Sequence, residues 1–472
     1  MKKYILEPKE PMTVLSALRN RGVYISADCA GRGTCGKCKV IVDGEETLAC
    51  KTVIEKKTEV EIFDKSLLGS IYVENIDEGL DGYLANDKKD ERSFFMCADI
   101  GTTTVAAVLI DSLGKVLASA GCANSQKSLG ADVVSRIEAA EAGKLSELKS
   151  LVRGDIAYLR SELCRKLSLD ENLVEKVYIS ANTVMEHIFA GYSMEGFAKA
   201  PYRAVTLDTI RDGEFELLAC LFPFVGADIL SGIAVCGLDR SDKLSALIDL
   251  GTNGEMAIGN RDKILTASTA AGPVFEGGAI SCGMMAAAGA ISDAEISGMR
   301  AFVKTIGEQP AAGICGSGLV SAVHGLRKNG IIDKNGIFIE EFIEDGFPLT
   351  SDIYITKEDI RNFLMAKSAI AAGFKTLCRE MNIEPSDIEN LYIAGGFGKH
   401  LNIEKAAGIG LIPDELKDRC VLAGNTSLKG AIMRGLGNLD DGRISDIKGL
   451  CGEIVLADSL YFRDEYIKNM VL

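Results

Sequence analysis

Two apolar stretches, each broken by a short polar turn after an aspartate, form the clearest repeated pattern in the chain. The first reads FFMCADIGTTTVAAVLI and predicts a buried strand over residues 94–99, a tight turn over 101–104 and a returning strand over 105–110. The second reads ALIDLGTNGEMAIG and repeats the arrangement about 150 positions later. Matching hairpins with a D-(I/L)-G-T turn predict a duplicated fold, with one copy in each of two lobes.

The residues before the first hairpin have a different pattern. YILEP, VYISA and TEVEIF read as short strands, and KVIVDG ends in an Asp-Gly turn, so residues 1–63 predict a small β-rich domain. Residues 64–93 show no long periodicity and end in a charged, turn-rich run, which predicts a flexible linker. We assign residues 94–245 to lobe I and residues 246–472 to lobe II.

Composition excludes several classes of protein. The chain has 472 residues, of which 67 are acidic and 52 basic, and the net charge of −15 argues against a protein that binds duplex nucleic acid. No apolar run approaches the roughly 18 residues of a membrane span, so we expect no membrane association. The start, MKKYILEPKEPM, has too short an apolar stretch for a signal peptide. We therefore expect a cytoplasmic protein.

Four of the 14 cysteines lie within the first 50 residues. Three of them fall in one loop rich in glycine, which can wrap closely around a compact metal group. The spacing, five and two intervening residues and then eleven, resembles that of plant- and vertebrate-type [2Fe–2S] ferredoxins. Structural zinc and four unrelated buried thiols remain as alternatives, although zinc ribbons usually present two CxxC pairs. The expected cluster ligands are Cys29, Cys35, Cys38 and Cys50.

The two D-(I/L)-G-T turns have the chemistry of phosphate binding. Glycine lets backbone N–H groups approach phosphate oxygens, and threonine or asparagine side chains add donors. An aspartate at the strand end can hold Mg²⁺-bound water near the phosphates. Neither turn is a Walker A loop, because no GK(S/T) follows. The candidate residues are Asp99, Gly101, Thr102, Thr103 and Thr104 in the first turn and Asp249, Gly251, Thr252, Asn253 and Gly254 in the second.

Two further glycine-rich segments complete the expected nucleotide site. The sequence NLYIAGGFG predicts a strand that runs into a Gly-Gly turn, where Gly395, Gly396 and Phe397 would border the adenosine. Gly316 and Ser317 precede a predicted helix that begins at Leu319, and its N-terminus would face the phosphates.

Together these residues resemble a known family, the ATP-dependent reductive activators of corrinoid proteins. These proteins join a [2Fe–2S] ferredoxin-like domain to an actin-like ATPase domain of the acetate- and sugar-kinase, actin and heat-shock chaperone superfamily. The resemblance implies an α/β fold with a small β-rich ferredoxin-like domain and a two-lobed, duplicated, ribonuclease-H-like ATPase domain. Further matching stretches are residues 130–133, 179–183, 271–278 and 424–427.

The resemblance also implies an activity. The chain would be an ATP-dependent reductive activase, in which the cluster reduces a corrinoid protein from Co(II) to Co(I) and ATP drives the step. It would need a [2Fe–2S] cluster, ATP, Mg²⁺ and a low-potential electron donor, and it could form a homodimer. Asp99 and Asp249 would act in catalysis. Because the first hairpin begins at about Phe94, we expect a short form that lacks the family's middle domain.

Three other functions remain open. A small-molecule kinase of the same superfamily could carry a redox-sensing domain, although no sugar or carboxylate pocket is evident. A simple electron carrier could keep a non-catalytic nucleotide lobe. An activator of radical dehydratases would instead place cysteines for a [4Fe–4S] cluster inside the ATPase domain. We interpret His187 as a structural residue and Cys97, Cys282 and Cys315 as packed thiols, because free cysteines are usually buried.

Overall fold

A computed structural model describes residues 2–8, 10–21, 23, 25, 33, 38–62, 93–396 and 400–472. The predicted linker, except for its last residue, lies outside these ranges, as do Cys29, Cys35 and Phe397 of the predicted sites. Among the described helices, none has the length and apolar character needed to cross a membrane.

The N-terminal part is a small sheet with one helix, as the alternating pattern predicts. Its four-stranded sheet has the order β1-β6-β3-β4, and the β3–β4 connection is the predicted Asp-Gly turn. Asp43 and Gly44 both have positive φ, 51° and 89°, as a two-residue hairpin requires. The elements are β1 (Lys2–Leu6), β2 (Met12–Thr13), α1 (Val14–Asn20), β3 (Lys39–Val42), β4 (Glu45–Leu48), β5 (Val53–Ile54) and β6 (Thr58–Ile62).

The rest of the described chain is built on two six-stranded sheets with related topology. The first half contains β7 (Phe94–Ile100), β8 (Thr104–Asp111), β9 (Val116–Ala123), α2 (Val133–Ala139), α3 (Leu145–Leu167), β10 (Val174–Ala181), α4 (Thr183–Ala190), α5 (Glu195–Ala198), β11 (Ile210–Asp212), β12 (Phe215–Leu217) and α6 (Ala227–Cys236).

The second half continues directly from α6. It contains β13 (Ser245–Leu250), β14 (Gly254–Asn260), β15 (Lys263–Thr269), β16 (Ala290–Ser297), β17 (Arg300–Thr305), β18 (Gly313–Ile314), α7 (Gly316–Lys328), β19 (Phe347–Pro348), β20 (Tyr354–Ile355), α8 (Lys357–Met381), β21 (Asn390–Ala394), α9 (Ile403–Gly408), β22 (Cys420–Gly424), α10 (Thr426–Gly435), α11 (Asp441–Leu450), β23 (Cys451–Glu453) and α12 (Leu460–Lys468).

The two sheets share the arrangement of five strands, and the sixth strand lies at opposite edges, β11 beside β12 and β23 beside β15. The first has the order β11-β12-β10-β7-β8-β9 and the second β22-β21-β13-β14-β15-β23. In each, three consecutive antiparallel strands form a meander, and two later strands add in parallel beside its first strand. Helices cover both faces of such sheets, which explains why β7 and β13 are almost continuously apolar. The repeated topology confirms the predicted duplication, and the boundary at residues 245–246 stays a prediction.

The two halves pack against each other through α6 and α10. α10 belongs to the second half, yet its Leu428 and Ile432 join Cys97 and Val108 of the first sheet in one buried cluster. Where the two helices approach, Gly430 faces Ser231 so closely that a Cβ on the glycine would lie 2.2 Å from the serine Cβ. The contact between the halves therefore depends on the absence of a side chain at residue 430.

Two ion pairs with little solvent exposure reinforce this contact. Arg434 of α10 lies 2.6 Å from Glu216 of β12, and Arg443 of α11 lies 2.8 Å from Asp239 after α6. The four side chains are at most 10% exposed, so removing one partner would leave a poorly hydrated charge. The halves are thus joined by close packing and by charge pairing.

Gly430→Ala tests the helix contact. We expect the free energy of unfolding to fall by about 1–3 kcal/mol, because the added methyl group overpacks the α6–α10 crossing. Thermal or denaturant unfolding measures the change.

Gly154→Ala is the matched control. Gly154 lies in the exposed face of α3, where an added Cβ meets no described atom within 4 Å outside its immediate neighbours. We expect this variant to gain about 0.5–1 kcal/mol from the better helix former. Equal stability of the two variants would contradict the close contact.

Candidate functional site

The two predicted phosphate-binding turns lie face to face in the structure. The hydroxyl oxygens of Thr103 and Thr252 are 3.1 Å apart, although the residues are 149 positions apart in the chain. Both threonines are buried, with 2% and 6% of their surface exposed. The β7–β8 and β13–β14 hairpins therefore direct their turns to one place between the two sheets.

A third segment meets the two turns there. The hydroxyl group of Thr103 donates a 2.6 Å hydrogen bond to Oε2 of Glu276, and the hydroxyl group of Thr252 donates to the same oxygen. Glu276 ends a short 3₁₀ turn, Pro273–Glu276, within one of the stretches that carries the family resemblance. One carboxylate oxygen thus accepts hydrogen bonds from both hairpins.

Asp99 is held at the end of β7 by two side chains from the second half. Asn425 Nδ2 donates to its Oδ2 and Ser427 Oγ donates to its Oδ1, each at 2.8 Å. Burial raises the pKa of Asp99 to about 6, although both hydrogen bonds favour its ionised form, and the nearby Asp228 and Glu276 raise it further.

Asp249 ends β13 in the equivalent position, and within the described residues no side chain donates a hydrogen bond to its carboxyl group. Burial raises the pKa of Asp249 well above its usual value, and the negative charges of Asp228, Asp99 and Glu276 add to the shift. Glu255 lies opposite Asp249 in the β13–β14 register, and its pKa is raised by burial and by Asp228 and Asp249. The site therefore concentrates buried carboxyl groups whose ionised forms repel one another.

Within the described residues, no three of the Asp, Glu, His and Cys side chains converge to form a metal site by themselves. Mg²⁺ prefers carboxylate and water oxygens, and one or two carboxylates usually suffice where phosphates complete the shell. Oε1 of Glu255 is buried and has no hydrogen-bond partner within the described part of the chain. A cation or its bound water would satisfy this oxygen and would lower the repulsion.

A buried arginine side chain holds the backbone of the first turn in place. Arg136 of α2 is fully buried and donates hydrogen bonds to the carbonyl oxygens of Thr102 and Gly130 and to the side chain of Gln126. Burial lowers the pKa of its guanidinium to about 9. Asn124 Nδ2 also donates to the carbonyl oxygen of Gly101 at 2.8 Å. The backbone of this turn is therefore held rigidly.

The predicted Gly-Gly turn lies beside Asp249. Gly395 has φ +103°, and a Cβ there would lie 2.6 Å from the carbonyl oxygen of Leu250 and 3.0 Å from Oδ1 of Asp249. A Cβ on Gly396 would meet no atom of the described residues within 4 Å. Phe397 lies outside the described residues, and its predicted contact with adenosine stays a prediction.

The helix after the second glycine-rich segment begins earlier than expected. α7 starts at Gly316 rather than at Leu319, so Gly316 and Ser317 are its first residues. A Cβ on Gly316 would lie 2.1 Å from the carbonyl oxygen of Phe275, which places this N-terminus against the turn that carries Glu276. The expected start was wrong because a helix that packs this tightly can use glycines in its first turn.

Two of the four predicted cluster ligands are described, and they lie at one end of the β3–β4 hairpin. The amide of Ala49 donates to the carbonyl oxygen of Cys38 at 2.8 Å, so Cys38 and Cys50 flank the same end of the ladder. Both are buried, and neither is in a disulfide. Gly33, in the loop between Cys29 and Cys35, has φ +77°. The hairpin thus brings the backbone of Cys38 next to Ala49, the neighbour of Cys50, and Cys29 and Cys35 lie outside the described residues.

His187, Cys97 and Cys315 are buried as expected, whereas Cys282 is only half-buried. Nδ1 of His187 lies 2.8 Å from the carbonyl oxygen of Thr183, and its Nε2 accepts from the amide of Val205 at 3.1 Å. Burial lowers the pKa of this imidazole, consistent with a neutral ring. The thiol of Cys315 donates to the carbonyl oxygen of Ile291, and Cys97 is fully buried. These groups are therefore occupied by the fold.

Sequence patterns did not identify several residues of the cleft. Glu276 and Ser427 fall within stretches that resemble the family, but nothing in their local sequence assigns them a role. Arg136, Asp228 and Glu255 lie in ordinary helix and strand segments. Glu255 directly follows the second turn, whereas Arg136 and Asp228 approach the cleft through contacts between residues distant in the chain, which a local pattern does not show.

Comparison with family models identifies three consecutive regions. Residues 2–62 match the "2Fe-2S iron-sulfur cluster binding domain", residues 94–241 the "RACo middle region" and residues 243–472 the "C-terminal domain of RACo the ASKHA domain". The expectation of a short form without a middle domain is therefore wrong. The segment with the first hairpin is itself the middle region. Because the two hairpins are alike, the sequence pattern alone predicts two ATPase lobes and does not distinguish a middle region.

Known relatives agree with these matches. The chain is 30% identical over 426 residues to "Corrinoid activation enzyme RamQ" of Eubacterium limosum. The aligned region covers 82% of this chain and 72% of that protein. It is 32% identical to "[Co(II) methylated amine-specific corrinoid protein] reductase" of Methanosarcina barkeri, over 52% of this chain and 48% of the relative.

A solved structure matches nearly the whole chain. The "Reductive activator for corrinoid,iron-sulfur protein" has a TM-score of 0.77 and 28% identity, covering 98% of this chain and 95% of its own. The fold is accordingly a ferredoxin-like domain followed by an actin-like, mixed α/β ATPase domain. With the full-length structural match and 30% identity over most of a curated relative, the chain belongs to the family of corrinoid activation enzymes.

Proposed function

We propose that this chain is an ATP-dependent reductive activase that returns a corrinoid protein from Co(II) to Co(I) by means of a tethered [2Fe–2S] cluster. The observation that carries the ATP-dependent part is the meeting of Thr103 and Thr252 at 3.1 Å, because it directs two phosphate-binding turns to one point. The relatives, whose names describe corrinoid activation and reduction, support the reaction and a corrinoid protein as the substrate.

Nucleotide binding would use both hairpins. The backbone N–H groups and hydroxyls of residues 101–104 and 251–254 would donate to the phosphates, because glycine in each turn allows close approach. Asp99 and Asp249 would hold the water shell of Mg²⁺, which would offset their repulsion. Gly395 and Gly396 would border the adenosine.

The N-terminal cysteines would hold the cluster. Cys29, Cys35, Cys38 and Cys50 would be its ligands, and the β3–β4 hairpin holds the last two at one end. When bound, a [2Fe–2S] cluster supplies single-electron transfer at a potential set by its surroundings. Backbone N–H groups of the glycine-rich loop would tune that potential.

ATP is needed because Co(II) reduction by an ordinary donor is uphill. For a one-electron couple, each 59 mV of mismatch corresponds to about 1.4 kcal/mol, so a gap of a few hundred millivolts requires several kcal/mol. Binding one triphosphate between two halves can supply energy of this size, because closure converts the new contacts into a change of conformation. The low-potential donor, Mg²⁺ and a homodimer remain parts of the proposal.

The direct experiment is anaerobic reduction of a corrinoid protein. The purified protein would be mixed with a reductant and with candidate Co(II) corrinoid proteins, with and without Mg·ATP, while the Co(I) absorbance is followed. Formation of Co(I) that requires ATP supports the proposal. Phosphorylation of a sugar or a carboxylic acid without any corrinoid protein would favour a kinase instead.

Cys50→Ser tests the cluster assignment. We expect the variant, purified without air, to lose the visible absorbance and the paramagnetic signal of the reduced cluster, because a hydroxyl replaces one of the four thiolates. ATP affinity should be unchanged.

Cys420→Ser is the matched control. Its half-buried thiol donates to the carbonyl oxygen of Leu416, a bond that a serine hydroxyl can also make. This variant should keep the spectrum. Retention of a normal spectrum by Cys50→Ser would remove Cys50 from the ligand set.

Asp249→Asn tests the cleft. We expect a normal cluster spectrum and a loss of ATP-dependent Co(I) formation of about 100-fold or more, since the amide cannot neutralise Mg²⁺ near the phosphates. Asp262→Asn, in the exposed loop between β14 and β15, should behave like the wild type. Full activity of Asp249→Asn would exclude it from the site.

The raised pKa of Asp99 predicts a pH dependence of Mg·ATP affinity. Below pH 6 the carboxyl group is increasingly protonated, so affinity should fall with decreasing pH, by at most about tenfold per unit for this group. Calorimetric titrations from pH 5 to pH 8 would measure the slope. Protonation of ATP affects the wild type and Asp99→Asn equally, but the variant lacks the titrating carboxyl group. The affinity of the variant should therefore depend less steeply on pH. Identical slopes would contradict a role for the ionised carboxylate.

A further inference from the structure

Glu276 occupies the point where the two phosphate-binding turns meet, and the proposed function has not used it. Its Oε2 accepts hydrogen bonds from Thr103 and Thr252, the two hydroxyls that a triphosphate between the turns would need. A Cβ added to Gly251 would lie 4.0 Å from Oε1 of Glu276. In this conformation, the carboxylate of Glu276 therefore uses the hydroxyl donors that a phosphate group would need.

The main chain that carries Glu276 is firmly held. Val274 and Phe275 are 3% and 1% exposed, and Gly272 and Gly277, which flank the turn, both have φ +77°. The carbonyl oxygen of Phe275 fills the space that a side chain on Gly316 would need. A shift of this turn away from the cleft would disturb the start of α7. Displacement of Glu276 therefore involves its side chain and not its backbone.

Negative charge at this point opposes a second anion. Asp99 and Asp249 already lie close enough for Glu276 to raise their pKa. A Mg²⁺ ion would offset two carboxylates and part of the triphosphate charge, but a third carboxylate between the turns would be repelled by the phosphates.

We propose that Glu276 is a positioning residue that bridges the two hairpins when the cleft is empty and is displaced when a triphosphate takes over the hydroxyls of Thr103 and Thr252. This inference rests on the proposed ATP site and adds a residue to it. The bridge keeps the turns in register for binding, and its displacement requires a ligand long enough to reach both halves. Glu276 thereby lowers the affinity for a nucleoside triphosphate, which must displace it.

Glu276→Gln tests the exchange. Glutamine has nearly the same shape and can still accept one hydrogen bond, but it carries no charge. We expect ATP affinity, measured by calorimetry in the presence of Mg²⁺, to increase about tenfold, which equals about 1.4 kcal/mol. The affinity for ADP should change less, because a diphosphate too short to reach both hydroxyls leaves the bridge in place. Glu276→Ala should change both quantities in the same direction.

Glu295→Gln is the control for net charge. Glu295 is an exposed residue of β16, so its variant should bind ATP and ADP like the wild type. Thermal unfolding of all variants would verify that they are folded.

The opposite results would overturn the inference. Weaker ATP binding by Glu276→Gln would mean that the carboxylate supports the bound nucleotide or its Mg²⁺ instead of making way for it. Unchanged affinity and unchanged preference would mean that the bridge has no competing role. If the wild type binds ATP in either case, only the role of Glu276 fails. If the folded wild type binds no ATP, the proposed function fails with it.

Discussion

Repulsion between buried carboxylates is the constraint on which the cleft depends. Asp99 and Asp249 end equivalent strands of two sheets, and burial together with the charges of Asp228 and Glu276 raises both pKa values. Such a group of carboxyl groups is stable only if protons are retained or a cation is bound. The cleft without ligand is therefore electrostatically unfavourable, and Mg·ATP is a ligand whose cation would relieve the repulsion while its phosphates use the donors of both turns.

The helices that join the halves also hold these carboxylates. α10 begins next to Asn425 and Ser427, the residues that bind Asp99, and one turn later its Gly430 packs against Ser231 of α6. α6 in turn carries Asp228 in its first turn. A small rotation of one half relative to the other would therefore alter the surroundings of Asp99 directly. This shared use of two helices gives a physical route from occupancy of the cleft to the relative position of the halves.

The sequence predicts local features of this protein well and long-range contacts poorly. The first D-(I/L)-G-T hairpin is determined by neighbouring residues, so its strands appear within one position of the prediction. Thr103 and Glu276 are 173 positions apart, and Asp99 and Ser427 are 328 apart, so no local pattern links them. The likeness of the two hairpins correctly predicts that the two sheets are related. It does not reveal that the first hairpin belongs to the middle region, so the prediction that this region is absent is wrong.

The same difference separates the two proposed sites. Cys38 and Cys50 are brought together by one short hairpin, whose register is fixed by a two-residue turn. The nucleotide cleft exists only when two sheets, two helices and the turn of Glu276 are assembled. Partial unfolding of the contact between the halves would therefore destroy the cleft while leaving the β3–β4 hairpin intact. Under the proposed function, the hairpin would then keep Cys38 and Cys50 together through movements of the ATPase domain.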